Sequence, residues 1–598
     1  MDNLVDLKSP TSLKRSFLIR KPAVLAALVL SAGVGTRAET PAAAAPSASD
    51  PVVMQAMSTE LDRAMSMLGT STGPKTTTPP QKPYFLSYSV ADAESVSMSA
   101  QYGAIVNSNA THSRMADVQV RLGSPELDNT HGDHRTSALT TMPLPLSDDT
   151  TAIERTLWFA TNRGYSKALD ALEKVKTEQK VRAKEEDSSA DFSVEAPQKE
   201  VLPSLPKLDV DKAAWEQRLR EISGVFRSYP DIYYDTAVMQ TSNETDYFVS
   251  SEGAHVATPN QVARLIVVAR TRAADGMDLF RVETFEADKT GNLPAQSDVL
   301  AKTVAMAKNL DDLRNAPITE PYNGPAILSG RAAAVFFHEV LGHRLEGQRQ
   351  RGDEEGQTFT KLIGKPILPT FLSVADDPTI REIDGHPLSG HYVFDDEGDP
   401  ARRVQLVDQG VLKTFLMSRE PIASVQNSNG HGRAETGKMP TGRQGNLIVT
   451  STKAVSDAAL RQMLKDEAKK QGKAYGLFFE DISSGFAVTT RRSPQAFQVI
   501  PLVVYRVYVD GRPDELVRGV SIVGTPQAAL NSIMATGDHQ DIFNGECGAE
   551  SGTIPVSAVA PAMLVDHIET QKQAQGTARP PIAPPPPLLG AAEKKGGE

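Results

Sequence analysis

Two histidines and a glutamate stand within one run of six residues, His338-Glu339-Val340-Leu341-Gly342-His343. Two imidazoles presented from one helix, with a carboxylate beside the first, form the usual start of a zinc hydrolase site. The surrounding residues 329–347 read as a single helix, favoured by Ala332, Ala333 and Ala334 and closed by Gly347. The spacing departs from the common H-E-x-x-H pattern. Histidines four apart lie about 40° from each other around an α-helix, whereas five apart they lie about 140° from each other. A single π-type turn would bring positions i and i+5 into line, and Gly342 would ease that distortion. The competing reading is an ordinary core helix. Residues 332–337 are apolar enough to be its buried face, with the histidines merely hydrogen-bonded.

Two protein ligands are too few for a stable zinc centre, so a third is needed, with water in the remaining position. The chain has one cysteine, Cys547, with Gly545 and Gly548 close on either side to allow a tight turn. A lone cysteine is most often a small buried hydrophobe. Glu346, three residues beyond His343, and Glu546 are the other candidates for the third ligand.

Three ordered blocks now carry a resemblance. Residues 331–347, with the trailing Leu345-Glu346-Gly347, resemble the metal-binding helix of the TldD/PmbA metallopeptidases, also called modulators of DNA gyrase. Residues 390–398 and 411–420 are similar to that family's central strands. Cys547-Gly548 with residues 554–557 is similar to its C-terminal cysteine segment. The resemblance runs over roughly 232–566. It implies that His338, His343 and Cys547 hold zinc and that Glu339 is the general base. It also implies a dimer enclosing the site, either a homodimer or a heterodimer with a related subunit. The full motif at 338–343 favours the catalytic, TldD-like type.

The implied chemistry is peptide hydrolysis, with Glu339 taking a proton from the attacking water and passing it to the leaving amine. A thiolate ligand donates more charge than a carboxylate, so slow or selective proteolysis is expected. Iron or cobalt would fit the same ligands. His391 and Arg344 are the available guesses for stabilising an oxyanion, against a strand histidine and a solvated helix residue.

At 598 residues the chain exceeds one ordinary core, and two domains plus tails are expected. A 40% hydrophobic and 23% charged composition is that of a soluble globular protein. A net charge of −11, with no basic groove-reading element, argues against nucleic acid as a partner. Residues 1–38 read as a secretory signal peptide: Lys14, Arg15, Arg20 and Lys21 precede an apolar run at 22–30, and small residues follow. That run is too short for stable membrane insertion, which wants about 20 apolar residues. Export to the periplasm or outside the cell follows as the expectation, and a single thiol there cannot form an internal disulfide.

Residues 39–81 read as a flexible lead-in and 82–316 as an N-terminal mixed α/β domain. Within the latter, 177–205 is charged and proline-bearing and reads as a solvated insertion. Helices are expected at 152–175 and from Asp211 to 225, and strands at 84–101, 116–122, 232–238, 246–250 and 261–272. Residues 317–568 form a mostly β metallopeptidase domain, with hairpins at Asp408-Gln409-Gly410 and at Asp510-Gly511. Thr525-Pro526 opens a last helix that Gly537 can close. A disordered proline-rich tail covers 569–598. The fold class expected is therefore α+β in two domains. The functional reading is a zinc metallopeptidase acting on peptides or unfolded segments. Its alternative is a non-enzymatic envelope binding or scaffold protein that kept the fold, and a narrower version of the first trims a precursor peptide.

Overall fold

The computed structural model describes residues 50–70, 81–180, 187–352, 355–491, 493, 496–573 and 581. The expected signal peptide and most of the proline-rich tail lie outside them. Among the described residues, no helix is long and apolar enough to cross a membrane.

The N-terminal half is built on long strands: β1 (Phe85–Gln101), β2 (Ala104–Arg121), β3 (Leu139–Pro143), β4 (Lys199–Val201), β5 (Ile232–Ser250), β6 (His255–Arg272) and β7 (Asp278–Ala287). They pair in the order β3-β2-β1-β5-β6, with β4 and β7 both against β6. Alternation decides what each face does. On β1, Leu86, Tyr88 and Val90 point to one core and Val96, Met98 and Ala100 to a second along the same face. Helices α1 (Val52–Met67) and α2 (Thr150–Glu178) cover the first. Helices α3 (Lys212–Gly224) and α4 (Gln296–Asn315) cover the second. Asp211 caps α3 as its sequence suggests, accepting from the Ala214 N–H at 3.0 Å.

Three expectations for this half need correction. The lead-in contains α1, whose Val53, Met54, Met57, Leu61 and Ala64 recur at helical spacing and are buried against the sheet core. The supposed insertion is also tied down. Phe192 is buried there, with the guanidinium of Arg121 at 3.9 Å and that of Arg419 at 4.0 Å from its ring. An aromatic ring that desolvates two arginines outweighs the polar character of its neighbours. The expected strands at 232–238 and 246–250 are one continuous strand, β5.

The C-terminal half is α+β with a larger sheet. Its main strands are β8 (Asn323–Leu328), β9 (Leu372–Asp376), β10 (Val404–Asp408), β11 (Val411–Leu412), β12 (Asn446–Ser451), β13 (Tyr475–Ala487), β14 (Phe497–Tyr508), β15 (Val520–Gly524), β16 (Ile533–Ala549) and β17 (Gly552–Lys572). The order is β8-β13-β14-β15-β17-β12-β9-β10-β11, and β8 also pairs with β17, so the first five close a ring. Strand β16 folds back on β17 as a hairpin. Helix α5 (Gly330–Val340) lies against β13, β16 and β17. Strand β17 runs to Lys572, past the boundary expected at 568. The Thr525-Pro526 helix does form, but it ends at Asn531 and not at Gly537, because β16 already begins at Ile533.

Candidate metal centre

Helix α5 starts where Ser329 Oγ accepts from the Ala332 N–H at 3.1 Å, and its Ala332–Phe337 stretch is buried throughout. The apolar run thus belongs to the core, as the bland reading holds, yet the same helix delivers both imidazoles. It does so without a π turn. The helix stops at Val340, Leu341 takes φ −110° and ψ −54°, and residues 342–345 form one 3-10 turn. Breaking the helix re-aims His343, so a five-residue spacing converges. The role of Gly342 is contact and not flexibility, since a Cβ there would lie 1.9 Å from Gln444 Oε1. Gln444 reaches back to the His338 carbonyl at 3.4 Å.

Cys547 arrives from β16. Its Sγ is 3.3 Å from His338 Nε2 and 3.4 Å from His343 Nε2, and the two imidazole rings meet edge to face with centroids 4.9 Å apart. One ligand atom from each of the three lies within 4.8 Å of the others, and all three residues are buried. Two imidazole nitrogens at about 2.05 Å and a thiolate at about 2.3 Å from a tetrahedral zinc would be about 3.3–3.6 Å apart, so the donor set fits such an ion in type and in spread. The electrostatics agree. Burial would raise the Cys547 thiol, but His343 and His338 hold it well below its usual range. Burial would lower His343, but the Cys547 sulfur and the Glu346 carboxylate hold it well above. These groups form a buried charge-balanced cluster that a cation can enter by displacing protons.

Glu339 stands beside the three with Oε2 3.9 Å from His343 Nε2. Its side chain has room because Gly485 on β13 faces it; a Cβ there would meet the Glu339 Cγ at 2.6 Å.

Of the other third-ligand candidates, neither joins the cluster. Glu346 sits behind His343 and takes its Nδ1–H at 3.1 Å, while also accepting from Arg349 Nε at 2.7 Å. Burial would raise the Glu346 carboxyl, but His343, Arg349 and Arg443 hold it at about 2, so it is a carboxylate that holds the Nδ1–H of His343 and leaves Nε2 as the nitrogen that gives up its proton to a cation. Glu546 neighbours Cys547 on a strand and therefore faces the other way, 3.8 Å from Arg264. Burial pushes it up to about 7 against the pull of Arg264. The oxyanion guesses are also redirected. Arg344 is buried and donates to the Glu339, Val340, Val488 and Ala496 carbonyls, holding the end of α5 in place. His391 is bonded through Nδ1 to the Pro378 carbonyl at 2.6 Å.

Sequence reasoning missed the groups that brace the centre. Arg443 donates to the Cys547 carbonyl at 2.7 Å and to Ser551 Oγ at 2.8 Å, and its Nε lies 3.5 Å from Glu346. No spacing pattern ties residues about a hundred positions apart, so nothing short of the fold reveals that link.

Residues 321–572 match the model of the PmbA/TldA metallopeptidase C-terminal domain. A metalloprotease TldD homolog of Buchnera aphidicola is 25% identical over 249 residues, covering 41% of this chain and 47% of that protein. A zinc metalloprotease TldD homolog of Saccharolobus solfataricus is 26% identical over 253 residues, covering 42% of this chain and 50% of the other. The match thus spans about half the length of these curated relatives. Among solved structures, TldE from Thermococcus kodakarensis shares the fold at a TM-score of 0.57 and 14% identity, over 86% of this chain and all of that one. A putative modulator of a DNA gyrase from Thermotoga maritima does so at 0.54 and 14%, over 81% and 96%. Residues 321–572 thus carry the C-terminal domain of the TldD/PmbA family, and the fold of TldE is shared along most of the chain.

Proposed function

We propose that the protein is a catalytic, TldD-type zinc metallopeptidase that hydrolyses peptides or unfolded polypeptide segments. The observation that carries this reading is the convergence of His338, His343 and Cys547 within 4.8 Å, with the Glu339 carboxylate alongside. Bound there, zinc would supply a Lewis acid that polarises the peptide carbonyl and makes water nucleophilic near neutral pH. The chain's residues supply the rest. His338 and His343 present Nε2, and Glu346 and Arg443 keep His343 and the Cys547 segment from turning away. Glu339 accepts a proton from the attacking water and returns it to the leaving amine as the C–N bond breaks. A dimer, either a homodimer or a heterodimer with a related subunit, is part of the reading on the strength of the resemblance to TldD-named proteins. Export through the N-terminal signal remains part of the proposal, because the leader pattern at residues 1–38 is its support.

The test is peptide cleavage by the purified full chain beside Glu339→Gln. A general base contributes roughly 10²–10⁴-fold, so the variant should lose at least a hundredfold in kcat while retaining its metal. Equal activity in both would refute the assignment of Glu339.

A further inference from the structure

Past the end of α5 at Val340 no α-helical ladder holds the second imidazole, so the position of His343 depends on what residues 344–350 rest against. They rest on residues 415–419. The Gly347 N–H donates to the Leu416 carbonyl at 2.8 Å, and the Leu416 N–H donates to the Leu345 carbonyl at 2.8 Å, one on each side of Glu346. Met417 packs against Gly347, where a Cβ would lie 2.5 Å from its Sδ. Residues 413–431 form no helix and no extended ladder, so this support needs a support of its own.

It comes from the N-terminal half. The Ser193 N–H donates to the Arg419 carbonyl at 2.9 Å, and the Ser193 carbonyl accepts from Arg419 Nη2 at 2.6 Å and Nε at 3.1 Å. Arg351, one residue past the turn at 347–350, donates to the Ala190 carbonyl at 2.7 Å, the Ser189 carbonyl at 3.0 Å and Asp191 Oδ1 at 3.1 Å. Its Nη1 also reaches the Pro421 carbonyl at 3.3 Å. The same short segment is fastened beside the N-terminal sheet. The N–H groups of Asp191 and Phe192 donate to the Pro125 carbonyl at 2.8 and 3.2 Å, and Asp191 Oδ2 accepts from the Asp128 N–H at 3.0 Å. Asp191 and Arg419 are buried, and the Arg351 side chain is 12% exposed. Buried groups deprived of these partners would keep their desolvation cost, which leaves the segment little freedom to detach.

We propose that residues 189–193 clamp the candidate metal centre, with Arg351 and Arg419 as positioning residues that hold residues 344–350, and through them His343 and Glu346, in place against Cys547. The clamp grips on two sides, through Arg419 on the segment that pairs with Glu346 and through Arg351 downstream of it. The shape of the centre thereby depends on contact between the two halves of the chain. Its consequence for a bound ion rests on the metallopeptidase reading; the clamp itself does not.

Hydrogen exchange followed by mass spectrometry on the metal-stripped full chain tests the clamp, and chelator-competition titration with zinc tests its consequence. Arg351→Met removes the guanidinium and keeps much of the bulk. It should speed exchange in peptides covering 343–350 and 413–421 at least about tenfold, while α1 and α2 keep wild-type rates. Zinc affinity should fall about 10–100-fold, the usual effect of losing a group that orients a ligand. Arg351→Lys keeps the charge beside Asp191 but cannot serve both carbonyls and the carboxylate at once, so it should fall between Arg351→Met and the wild type. Ile153→Val, in the core beneath α2, lowers stability away from the clamp and should leave those peptides and the zinc affinity unchanged. Wild-type exchange and affinity in Arg351→Met, or an equal change in Ile153→Val, would overturn the proposal. So would acceleration spread evenly over both halves, the mark of a merely destabilised fold. Local acceleration in Arg351→Met, beside a wild type that binds no zinc, would support the clamp and refute the metallopeptidase reading.

Discussion

Glu346→Gln separates a metal ligand from a residue that positions one. The Glu346 carboxylate is fully buried and shared by His343 Nδ1 at 3.1 Å, Arg349 Nε at 2.7 Å and Arg443 Nε at 3.5 Å. The amide keeps the shape and an oxygen for the imidazole but removes the charge that these groups face. Removing one partner of a buried ion pair typically costs about 3–5 kcal/mol. Linkage gives the same order. A buried carboxyl held at about 2 by its cationic neighbours, against ~4.3 in the unfolded chain, contributes about 3 kcal/mol to the metal-free protein. Because the folded pKa is depressed, that stability is present above about pH 4.3 and is lost as pH falls toward about 2. The wild type should therefore lose it across that window, and Glu346→Gln should not. At the metal centre the loss of the charged partner should weaken affinity about 10–100-fold, the usual effect of removing a group that orients a ligand. Chelator-competition titration reads the affinity, and denaturant unfolding at several pH values reads the stability. Wild-type values in both assays would refute the reasoning. Abolition of binding as complete as in His343→Ala would make Glu346 a ligand.

Three further outcomes are expected. Gly342→Ala places a Cβ 1.9 Å from Gln444 Oε1, so it should destabilise by about 1–3 kcal/mol and weaken metal binding; an unchanged calorimetric midpoint would contradict the contact. Phe192→Ala removes the ring between Arg121 and Arg419 and should cost about 3–5 kcal/mol, read by denaturant unfolding, whereas a solvated segment would lose almost nothing. Burial pushes the Asp235 carboxyl up to about 7, against the pull of the Tyr102 N–H. A raised carboxyl pKa means the folded state holds a proton that the unfolded chain has released, so stability should fall as pH rises from about 4 to about 7. Asp235→Asn should flatten that part of the pH–stability curve, and an unaltered slope would remove Asp235 as its source.

Local signals in the sequence carried much of the architecture. The Asp211 cap, the period-two runs of β1 and β6, and the Asp408-Gln409-Gly410 turn, whose Gln409 and Gly410 adopt φ of +46° and +81°, each act over a few residues. What was not legible depends on tertiary contact. Helix α1 was masked by its alanine- and proline-rich flank, although its buried positions keep a helical period. The end of α5 at Val340 is imposed by Gln444 and Arg344, which a helical pattern running through residue 347 does not reveal. At the site, the residue types at 338, 339, 343 and 547 were readable as candidates, and only the fold sorts Cys547 from Glu346 and Glu546. Bracing by Arg443 joins segments distant in the chain and leaves no trace in spacing.

Metal content of the purified full chain, measured by mass spectrometry beside His343→Ala and Cys547→Ala, decides whether these residues form a metal site. The wild type should carry about one zinc per chain and both variants should lose it, as a three-ligand site requires. Absence of bound metal from protein purified without chelator, or full retention in both variants, would contradict it.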